Sequence, residues 1–519
     1  MRNAFRIAAM VLGSCSAGLA MGQGAIWYVD DDAAPGGNGQ SWASAFDTLD
    51  AGLAAAQAGD EVWVATGVYF PHTRVDPGNL SNPLTDAADA TFFMQQGRKV
   101  YGGFLGNEAT LAERAGLFNQ TILTGDIPLV NGTMASARHV VFYFSEGYGP
   151  RGRLDGFVVR NGKAGQGKSF GGGGVLAGDT DGADASGRIW SVSLDIVNCR
   201  LENNTSESFG GAVLINGPLH MTDSVVVGNT SAGSGGGVAT RIFGSNTRLI
   251  NCLFLDNTAG TTGGGFSSSS GGSGSNPDVI NCQFIGNAAG TFGGGIYFAP
   301  NGNSQPMEIT NTLIAQNTAT LGGGVYQQGG IRIGSNGTIA ASTAQYANCT
   351  IVDNLATTEG GGLYLASNSE GDLRASAQVY NAIVWGNDAP LSRQLSDGAF
   401  AWFSDIEGGW STGVQNIDLD PQFVNPAMDN YRLSYRSPLI DSSSSYFAPL
   451  DEFDLDGDGN TSELIPFDND GRPRFYDVRA VMDQGSGSIT YMDYGAFETQ
   501  PGRVAPVRSA TGGGGTYSR

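Results

Sequence analysis

Acidic residues alternate along one short stretch near the C-terminal end of the sequence. Asp454, Asp456 and Asp458 are separated by single residues, and Gly459 follows them. Carboxylates at this spacing, with a glycine that allows a sharp turn, match the first half of a calcium-binding loop. The twelfth position is Ile465, where an EF-hand has a bidentate glutamate. The sequence therefore predicts a structural calcium site, and the alternative is an acidic turn without a metal.

The predicted metal ligands are Asp454, Asp456, Asp458, Asn460 and Glu463. Because the loop departs from the EF-hand pattern, Glu463 or Asp468 would have to supply the oxygens that it lacks. Two other acidic runs, at 30–32 and 468–471, match the pattern less well and are interpreted as solvated turns.

The elements that must position such a loop are visible as an internal repeat. Eight segments align on the pattern of residues 251–257, in which a small residue and then a bulky apolar residue precede a terminal asparagine. The terminal asparagines are Asn161, Asn204, Asn229, Asn257, Asn287, Asn317, Asn354 and Asn387. Their spacing of roughly 30 residues indicates a solenoid, a propeller or an array.

The columns of this repeat predict short strands joined by sharp corners. The small and the apolar positions are two residues apart, which places both side chains on one face of a strand. A glycine run follows seven of the eight segments, and asparagine at the strand end tolerates the left-handed conformation of a corner. Asparagines stacked on successive rungs can bond along the axis as a ladder. We predict an all-β fold, a right-handed parallel β-helix with three strands per rung.

Four cysteines remain after the first 20 residues, and all occupy the small-residue column. Cys199, Cys252, Cys282 and Cys349 alternate there with Ser, Thr, Ala and Gly. Cys252 and Cys282 lie on adjacent rungs, but parallel strands in register rarely orient their Cβ atoms for a relaxed bridge. We predict buried free thiols, with a disulfide as the alternative. A metal at this stack is not expected, because no histidine joins it.

The two ends of the chain differ from the repeats. Arg2 and Arg6 precede an apolar stretch that ends in small residues, which predicts a secretory signal peptide at 1–20. A lipoprotein-type box at 12–15 is the minor alternative and would place a lipid on Cys15. Residues 48–58 predict a short amphipathic helix that covers the apolar end of the solenoid. We expect an N-terminal cap with the first coils at 26–130, repeats at 131–400, a C-terminal β cap at 401–499 and a flexible tail at 500–519.

Composition and charge exclude several classes of protein. The 519 residues carry 49 acidic and 27 basic side chains, a net charge of −22, which argues against binding nucleic acid or an anionic membrane. The hydrophobic fraction of 40% excludes global disorder, and 81 glycines without a three-residue period exclude collagen. Beyond the signal peptide no apolar run is long enough to span a membrane, and we expect a monomer.

The repeats and both ends resemble known bacterial families. Segments such as Phe254–Asn257 and Gly210–Val213 resemble the repeats of chlamydial polymorphic outer-membrane proteins. The chain as a whole resembles secreted β-helix proteins of the pectin-lyase-like fold. Near the C-terminus, the motifs at 420–423, 437–441 and 493–498 resemble the choice-of-anchor Q domain. The resemblance implies a right-handed parallel β-helix at 26–499 that is secreted or displayed at the cell surface.

Two functions remain open at this point. The preferred hypothesis is a secreted scaffold or interaction protein, adhesive or glycan-binding, without a catalytic site. The alternative is a lyase or glycoside hydrolase for an acidic polysaccharide, which needs a base and a cation or clustered aspartates. None of the histidines, His72, His139 and His220, lies in a motif of such enzymes, and the net charge would repel an acidic substrate unless calcium intervened. Four arginines could share one face of the rod, namely Arg241, Arg248, Arg332 and Arg374.

Overall fold

The chain folds into a right-handed parallel β-helix. The structure, a computed structural model, describes residues 24–77, 86–114, 120–145, 149–165, 171–178, 192–241, 247–269, 277–299, 306–333, 338–340, 342–368 and 373–500. The predicted signal peptide, Cys15 and residues 501–519 of the predicted tail lie outside these residues. No helix in the described part of the chain is long and apolar enough to cross a bilayer.

In the described part of the chain, to which all strand counts refer, four parallel sheets run along the rod, and we name them A, B, C and D in the order in which one coil visits them. Sheet A has 13 strands, at Ile26–Val29, Glu61–Ala65, Lys99–Phe104, Gly152–Asp155, Leu194–Val197, Leu219–Thr222, Arg248–Ile250, Asp278–Ile280, Met307–Thr310, Thr343–Ala347, Ser376–Tyr380, Ala399–Trp402 and Gly413–Val414. Sheet B has 11 strands, at Gly67–Tyr69, Thr121–Thr124, Val158–Arg160, Arg200–Glu202, Val225–Val227, Leu253–Leu255, Gln283–Ile285, Leu313–Ala315, Thr350–Val352, Ile383–Trp385 and Asp405–Ile406.

Sheets C and D complete each coil. Sheet C has seven strands, at Lys163–Ala164, Thr205–Ser206, Thr230–Ser231, Thr258–Ala259, Ala288–Ala289, Thr318–Leu321 and Leu355–Glu359. Sheet D has nine, at Phe92–Gln95, Val141–Phe144, Val175–Ala177, Val213–Asn216, Val238–Arg241, Phe266–Ser269, Ile296–Ala299, Val325–Gln327 and Leu363–Leu365. The prediction of three strands per rung is therefore wrong. Most sheet C strands have only two residues, too few to show an alternating pattern.

Short elements accompany the four sheets. Three antiparallel hairpins pair Asp126–Pro128 with Met134–Ser136, Ile331–Ile333 with Thr338–Ala340, and Phe423–Asn425 with Asn430–Leu433. The α-helix Leu49–Ala55 lies within the predicted range 48–58, and its Leu49 and Leu53 join the apolar interior of the rod. Turns of 3-10 helix lie at Trp42–Ser44, Ala87–Asp89, Leu111–Glu113, Pro426–Met428 and Ser445–Phe447.

The asparagine ladder forms as predicted, with a corrected start. In the ladder, formed by Asn204, Asn229, Asn257, Asn287, Asn317, Asn354 and Asn387, each side-chain Nδ2 donates to the Oδ1 of the next asparagine at 2.8–3.1 Å. Asn161 does not belong to it. Arg160 pairs with Glu202, so Asn161 is level with Asn203 and Gly162 is level with the ladder residue Asn204, to whose Oδ1 its amide donates. The first segment was thus aligned one residue out of register.

The left-handed corners also lie next to the ladder rather than on it. Ladder positions are occupied by residues with ordinary φ, whereas Asp256, the residue before Asn257, has φ 53°. A second left-handed column precedes the small residues and includes Asn251 and Asn281, with φ of 55° and 52°. The ladder asparagines are therefore selected for their buried amides, and the corner residues for their tolerance of positive φ.

The prediction of buried free thiols is confirmed. All four cysteines that the structure describes are free and buried in the small-residue column. The amide of Cys252 donates to Sγ of Cys282 on the next rung at 3.4 Å. Burial raises the pKa of the Cys199 thiol to about 12, which keeps it protonated and unreactive at neutral pH.

The C-terminal cap follows the last strand of sheet A, Gly413–Val414, and covers one side of the rod. Apolar residues on the outer face of sheet B, such as Leu253 and Leu313, form a buried cluster with Tyr431, Leu439 and Phe497 of the cap. A buried amide fixes this contact, because Nδ2 of Asn469 donates to the backbone oxygens of Cys282 and Asn311 at 2.9 and 2.7 Å. The cap thereby covers sheet B, and it also reaches the outer face of the adjacent sheet A, where Phe447 stacks on Tyr380 with ring centroids 4.9 Å apart.

Candidate functional site

The outer face of sheet A carries a column of polar and ionisable side chains. Because side chains alternate across a strand, every strand of this sheet buries one set and exposes the other. Strands in register then stack the exposed positions, and we call this stack the outer column: Arg153, Asp195, His220, Arg248, Asp278, Glu308, Gln345, Gln378 and Phe400. The inner positions between them, such as Leu249 and Val279, are fully buried.

A loop of the cap faces the middle of the outer column and makes a cleft. The acidic loop, residues 451–463, lies across from the strands that carry His220 and Arg248. The cleft between them has a volume of about 280 Å³, and Glu452, Phe453 and Asp454 form its far wall. The Arg248 guanidinium stacks on the Phe453 ring at 4.4 Å from the centroid. A cation over an aromatic face is attracted by the ring's quadrupole, so this contact holds the loop to the sheet.

Carboxylates surround Arg248 in the cleft. The Arg248 Nε lies 3.6 Å from Asp278 Oδ2 on the next rung. Burial raises the pKa of Asp278 to about 7, and the charges of Glu308 and Glu452 raise it too, against the opposing effect of Arg248. Burial also raises the pKa of Glu308, with a further contribution from Glu452. Asp278 and Glu308 are therefore neighbours on the outer column, and the charge of Glu452 on the acidic loop acts on both of them.

The column ends in amides and stacked aromatic rings. Gln345 and Gln378 follow Glu308 on the next two rungs. Beyond them, Tyr380 and Trp402 stack with ring centroids 5.1 Å apart, and Phe400 lies beside Trp402 at 6.2 Å. Phe400 is 45% exposed, so this end presents a flat aromatic surface to solvent. A strip of charges, amides and rings thus runs along the axis of the rod.

The acidic loop brings the predicted metal ligands together. One carboxylate oxygen each of Asp454, Asp456 and Asp458 lies within 4.8 Å of the others. A second such group joins Asp456 and Glu463 to Asp451, a residue that the sequence analysis did not identify. These hard oxygen donors on one turn fit calcium chemically. Repulsion within the loop is visible at Glu463, whose pKa is raised by slight desolvation and by the charges of Asp458 and Asp456.

Two of the predicted donors have other partners. Asn460 Oδ1 accepts hydrogen bonds from the amide and hydroxyl of Ser462, and its Nδ2 donates to Glu463 Oε2 at 3.1 Å. Asp468 lies away from the loop, because it is fully buried and accepts from the amides of Arg472 and Glu498. Asp468 therefore cannot complete the coordination, and its interpretation as a solvated turn is wrong.

The four arginines do not share a face. Arg248 lies on sheet A, whereas Arg241 lies on sheet D, where its guanidinium stacks on Phe209 at 4.1 Å from the ring centroid. Arg374 pairs with Asp397 at 3.7 Å near the C-terminal rungs, and the strand of Arg332 belongs to a hairpin outside the four sheets. The hypothesis that they form one basic surface is wrong.

The histidines have separate environments. His72 pairs with Asp50, which raises its pKa, and His139 is buried in the rod, where desolvation lowers its pKa to about 4. His220 lines the cleft, and its Nδ1 lies 3.7 Å from Asp195 Oδ1.

A signal for the outer column was present in the sequence. Its residues lie three positions before the left-handed corner column, for example Arg248 before Asn251 and Asp278 before Asn281. With an alternating strand, that offset places the side chain on the outer face. The acidic loop was recognised, but its position opposite Arg248 depends on a contact between residues about 200 positions apart.

Comparisons with known proteins reveal similarities of fold. No protein-family model and no curated protein matches the sequence. Pectate lyase Pel9A is similar with a TM-score of 0.47 and 14% identity, covering 92% of this chain and 96% of that chain. A rhamnogalacturonan lyase has a TM-score of 0.31 and 12% identity over 77% of this chain and 91% of its own. The A-module of mannuronan C-5 epimerase AlgE6 from Azotobacter vinelandii has a TM-score of 0.32 and 12% identity over 72% and 95%. The likeness to choice-of-anchor Q and chlamydial proteins stays a prediction.

Proposed function

We propose that the protein is an extracellular β-helix that binds a glycan along the outer face of sheet A. The observation that carries the proposal is the outer column, in which the cleft at Arg248 continues through two amides to the exposed ring of Phe400. Amides and carboxylates pair with sugar hydroxyls, and flat rings pack against the apolar faces of pyranoses. Rungs about 4.8 Å apart repeat these groups along an extended chain.

Calcium in the acidic loop is part of this proposal. Asp454, Asp456 and Asp458 would hold the ion, with Asp451 and Glu463 as the nearest further carboxylates. The ion would neutralise the loop and keep its Glu452–Asp454 wall in place against sheet A. Its role in the proposal is therefore structural, and it supports the cleft rather than the rod.

Secretion is proposed from the signal peptide at 1–20, with lipidation at Cys15 as the minor alternative. Mass spectrometry of the processed N-terminus, from the producing cell, tests both. Cleavage after residue 20 supports a free secreted protein, whereas an acylated N-terminal Cys15 would establish a membrane-anchored form.

Titration of the mature protein against neutral, acidic and amino-sugar oligosaccharides tests the glycan proposal. Phe400→Ala should weaken binding about tenfold, equivalent to about 1.4 kcal/mol of lost stacking. The matched control is Tyr435→Ala, since Tyr435 is 56% exposed and lies on the cap rather than on sheet A. Equal affinities for the two variants would place any glycan elsewhere, and absence of binding to all three glycan classes would refute the proposal.

Hydrolysis of a glycan is the second candidate function, and it is favoured by Asp278 and Glu308. Asp278 and Glu308 are opposite each other on adjacent strands, so their carboxyl groups are neighbours on the outer face, and a glycosidase needs such a pair of carboxyl groups. A carboxyl with a pKa near 7 can donate and accept a proton at neutral pH. Release of reducing ends that both Asp278→Asn and Glu308→Gln abolish would establish it, and binding without any release would leave a scaffold.

A further inference from the structure

The cleft on sheet A is dominated by negative charge. Its walls and the adjoining rungs carry Asp278, Glu308, Glu452 and Asp454 around the guanidinium of Arg248. His220 is the other basic side chain of the cleft, and its Nδ1 lies near Asp195. An anionic sugar would therefore meet more repulsion than attraction, on a protein whose overall charge is already −22.

Arg248 is also poorly placed to recruit an anionic sugar. Its guanidinium lies 3.6 Å from Asp278 on one side and over the ring of Phe453 on the other. A uronate carboxylate would have to compete with Asp278 for this cation, and the carboxylates that surround it would stay uncompensated. The arginine thus serves to hold the loop, while unbalanced carboxylates remain available for a ligand.

The carboxylates of the cleft are too dispersed for a compact metal site. Among the described residues, the groups whose carboxylate oxygens lie within 4.8 Å of one another all belong to residues 441–498. Asp278, Glu308 and Glu452 do not form such a group. An ammonium group has three N–H donors that point in different directions, so it can satisfy carboxylates that lie further apart.

We propose that the cleft selects glycans that carry protonated amino groups, such as polymers of glucosamine. This inference rests on the proposed glycan-binding function and specifies its ligand class. The sugar rings lie along Gln345, Gln378 and Phe400, and an ammonium group is placed between Asp278 and Glu308. Charge-assisted hydrogen bonds to these carboxylates are stronger than neutral ones and relieve their mutual repulsion. The aromatic end favours a sugar over a basic peptide.

Calorimetric titrations of the full mature protein with three tetrasaccharides distinguish the effect of the ligand's charge from the effect of its ring shape. Glucosamine tetramer carries amines, its N-acetylated form keeps the ring but loses the charge, and galacturonate tetramer carries carboxylates. At a pH of about 7, where amino sugars still carry charge and an ammonium group beside Asp278 favours its ionised form, we expect the glucosamine tetramer to bind at least tenfold more tightly than its acetylated form. Galacturonate should bind most weakly, and the preference should fall with added salt.

Variants assign the preference to the cleft. Glu308→Gln should reduce the preference for the amine at least threefold, and Glu308→Lys should shift it toward galacturonate. Asp388→Asn is the matched control, because Asp388 is an exposed carboxylate that follows the asparagine ladder on another face of the rod. Thermal melting confirms that each variant is folded, and the Lys variant keeps the test decisive if the Gln effect is small.

The outcomes distinguish this inference from the proposed function. Suppose that glycans bind and Phe400→Ala weakens the binding, but the glucosamine tetramer binds no more tightly than its acetylated form. This result would overturn the inference and leave the proposed function intact. Tightest binding of galacturonate would overturn it as well. Oligolysine that binds more tightly than the glucosamine tetramer would show a site for basic peptides and refute the glycan class. If no glycan binds at all, the proposed function fails and the inference fails with it.

Discussion

The asparagine ladder and the C-terminal cap bury polar groups in opposite ways. In the ladder, Asn287 donates to the Phe254 carbonyl and to Asn317, and it accepts from the amide and side chain of Asn257. In the cap, Arg474 is buried together with four carboxylates, and all five side chains are at most 2% exposed, namely Asp441, Asp468, Asp493, Glu498 and Arg474. One region buries neutral amides and the other buries charges.

This difference explains why the ladder is regular and the cap is irregular. An amide is donor and acceptor at once, so identical amides on identical rungs satisfy each other. An ionised carboxylate only accepts, so each must find N–H donors on the backbone. The Asp493 carboxylate accepts hydrogen bonds from the amides of Asp441 and Thr499. The Glu498 carboxylate accepts them from the amides of Tyr476 and Asp493. Loops wrapped around these carboxylates supply such donors, and a repeating strand cannot.

The largest expected effect comes from Arg474, the buried cation of the cap. Arg474→Met would remove the buried positive charge that lowers the pKa of Asp468, Asp493 and Glu498 against the larger effect of burial, and removing the counter-charge of a buried carboxylate costs about 3–5 kcal/mol. We expect the free energy of unfolding of the cap to fall by this amount, seen as rapid proteolysis of residues 437–500 while the rungs persist. Arg479→Met, at an exposed position of the same segment, is the control. If the two variants are digested equally fast, the buried charge of Arg474 does not stabilise the cap, and the contrast with the uncharged ladder fails.

Calcium removal should act on the cap alone. A ligand that binds only the folded state adds about 2.7 kcal/mol at one hundred times its dissociation constant. Chelation should therefore lower the melting temperature of the cap, and Asp456→Ala should reproduce the effect and abolish further response to chelator. Asp397→Asn, a 90% exposed carboxylate outside the loop, serves as control. If calorimetry detects no calcium binding at millimolar concentration, the loop is an acidic turn.

Asn287→Leu tests the ladder itself. The change removes the Asn287 oxygen that accepts from the amide and Nδ2 of Asn257, and it removes one of the donors to Asn317 Oδ1. We therefore expect the rod to lose about 1–3 kcal/mol of stability. Urea denaturation measures the change. Asn107→Leu, at an exposed loop position, should have an effect near zero. Matching midpoints for Asn287→Leu and the wild-type chain would show that the ladder is not stabilising.

A change of pH should have the smallest effect on stability, and it should distinguish the cap from the ladder directly. Burial, followed by the charge of Asp493, raises the pKa of Asp441 to about 7, above its value near 3.9 in an unfolded chain. The folded cap then binds the extra proton between these values, so its stability falls as the pH rises through this window and levels off above pH 7. Lowering the pH from about 8 to 6 should stabilise the cap by about 1 kcal/mol. Ladder amides do not titrate, so in an Asp278→Asn, Asp405→Asn background, which removes the two raised carboxyl groups of sheets A and B, the rungs should show no comparable change.

The fold was largely predictable because its signals are local and repeated. The two-residue alternation within segments such as 251–257, and their recurrence on successive rungs, predicted the parallel β-helix, the ladder and the free thiols. The candidate site was predictable only in part. The acidic loop was recognised from its spacing, whereas Asp278 and Glu308 belong to a column whose sequence positions vary too much in residue type to attract notice.

The sequence by itself determined the repeat, the inward-facing columns and the residues that turn the corners, since each depends on neighbours within one rung. Tertiary structure alone decided three things. It set the register of the first segment, where Gly162 rather than Asn161 takes the ladder position. It gathered the charges around Arg474, and it brought Phe453 onto Arg248. The physical reason is that strand alternation is a property of the local backbone, whereas these contacts depend on the path of the cap along the side of the rod.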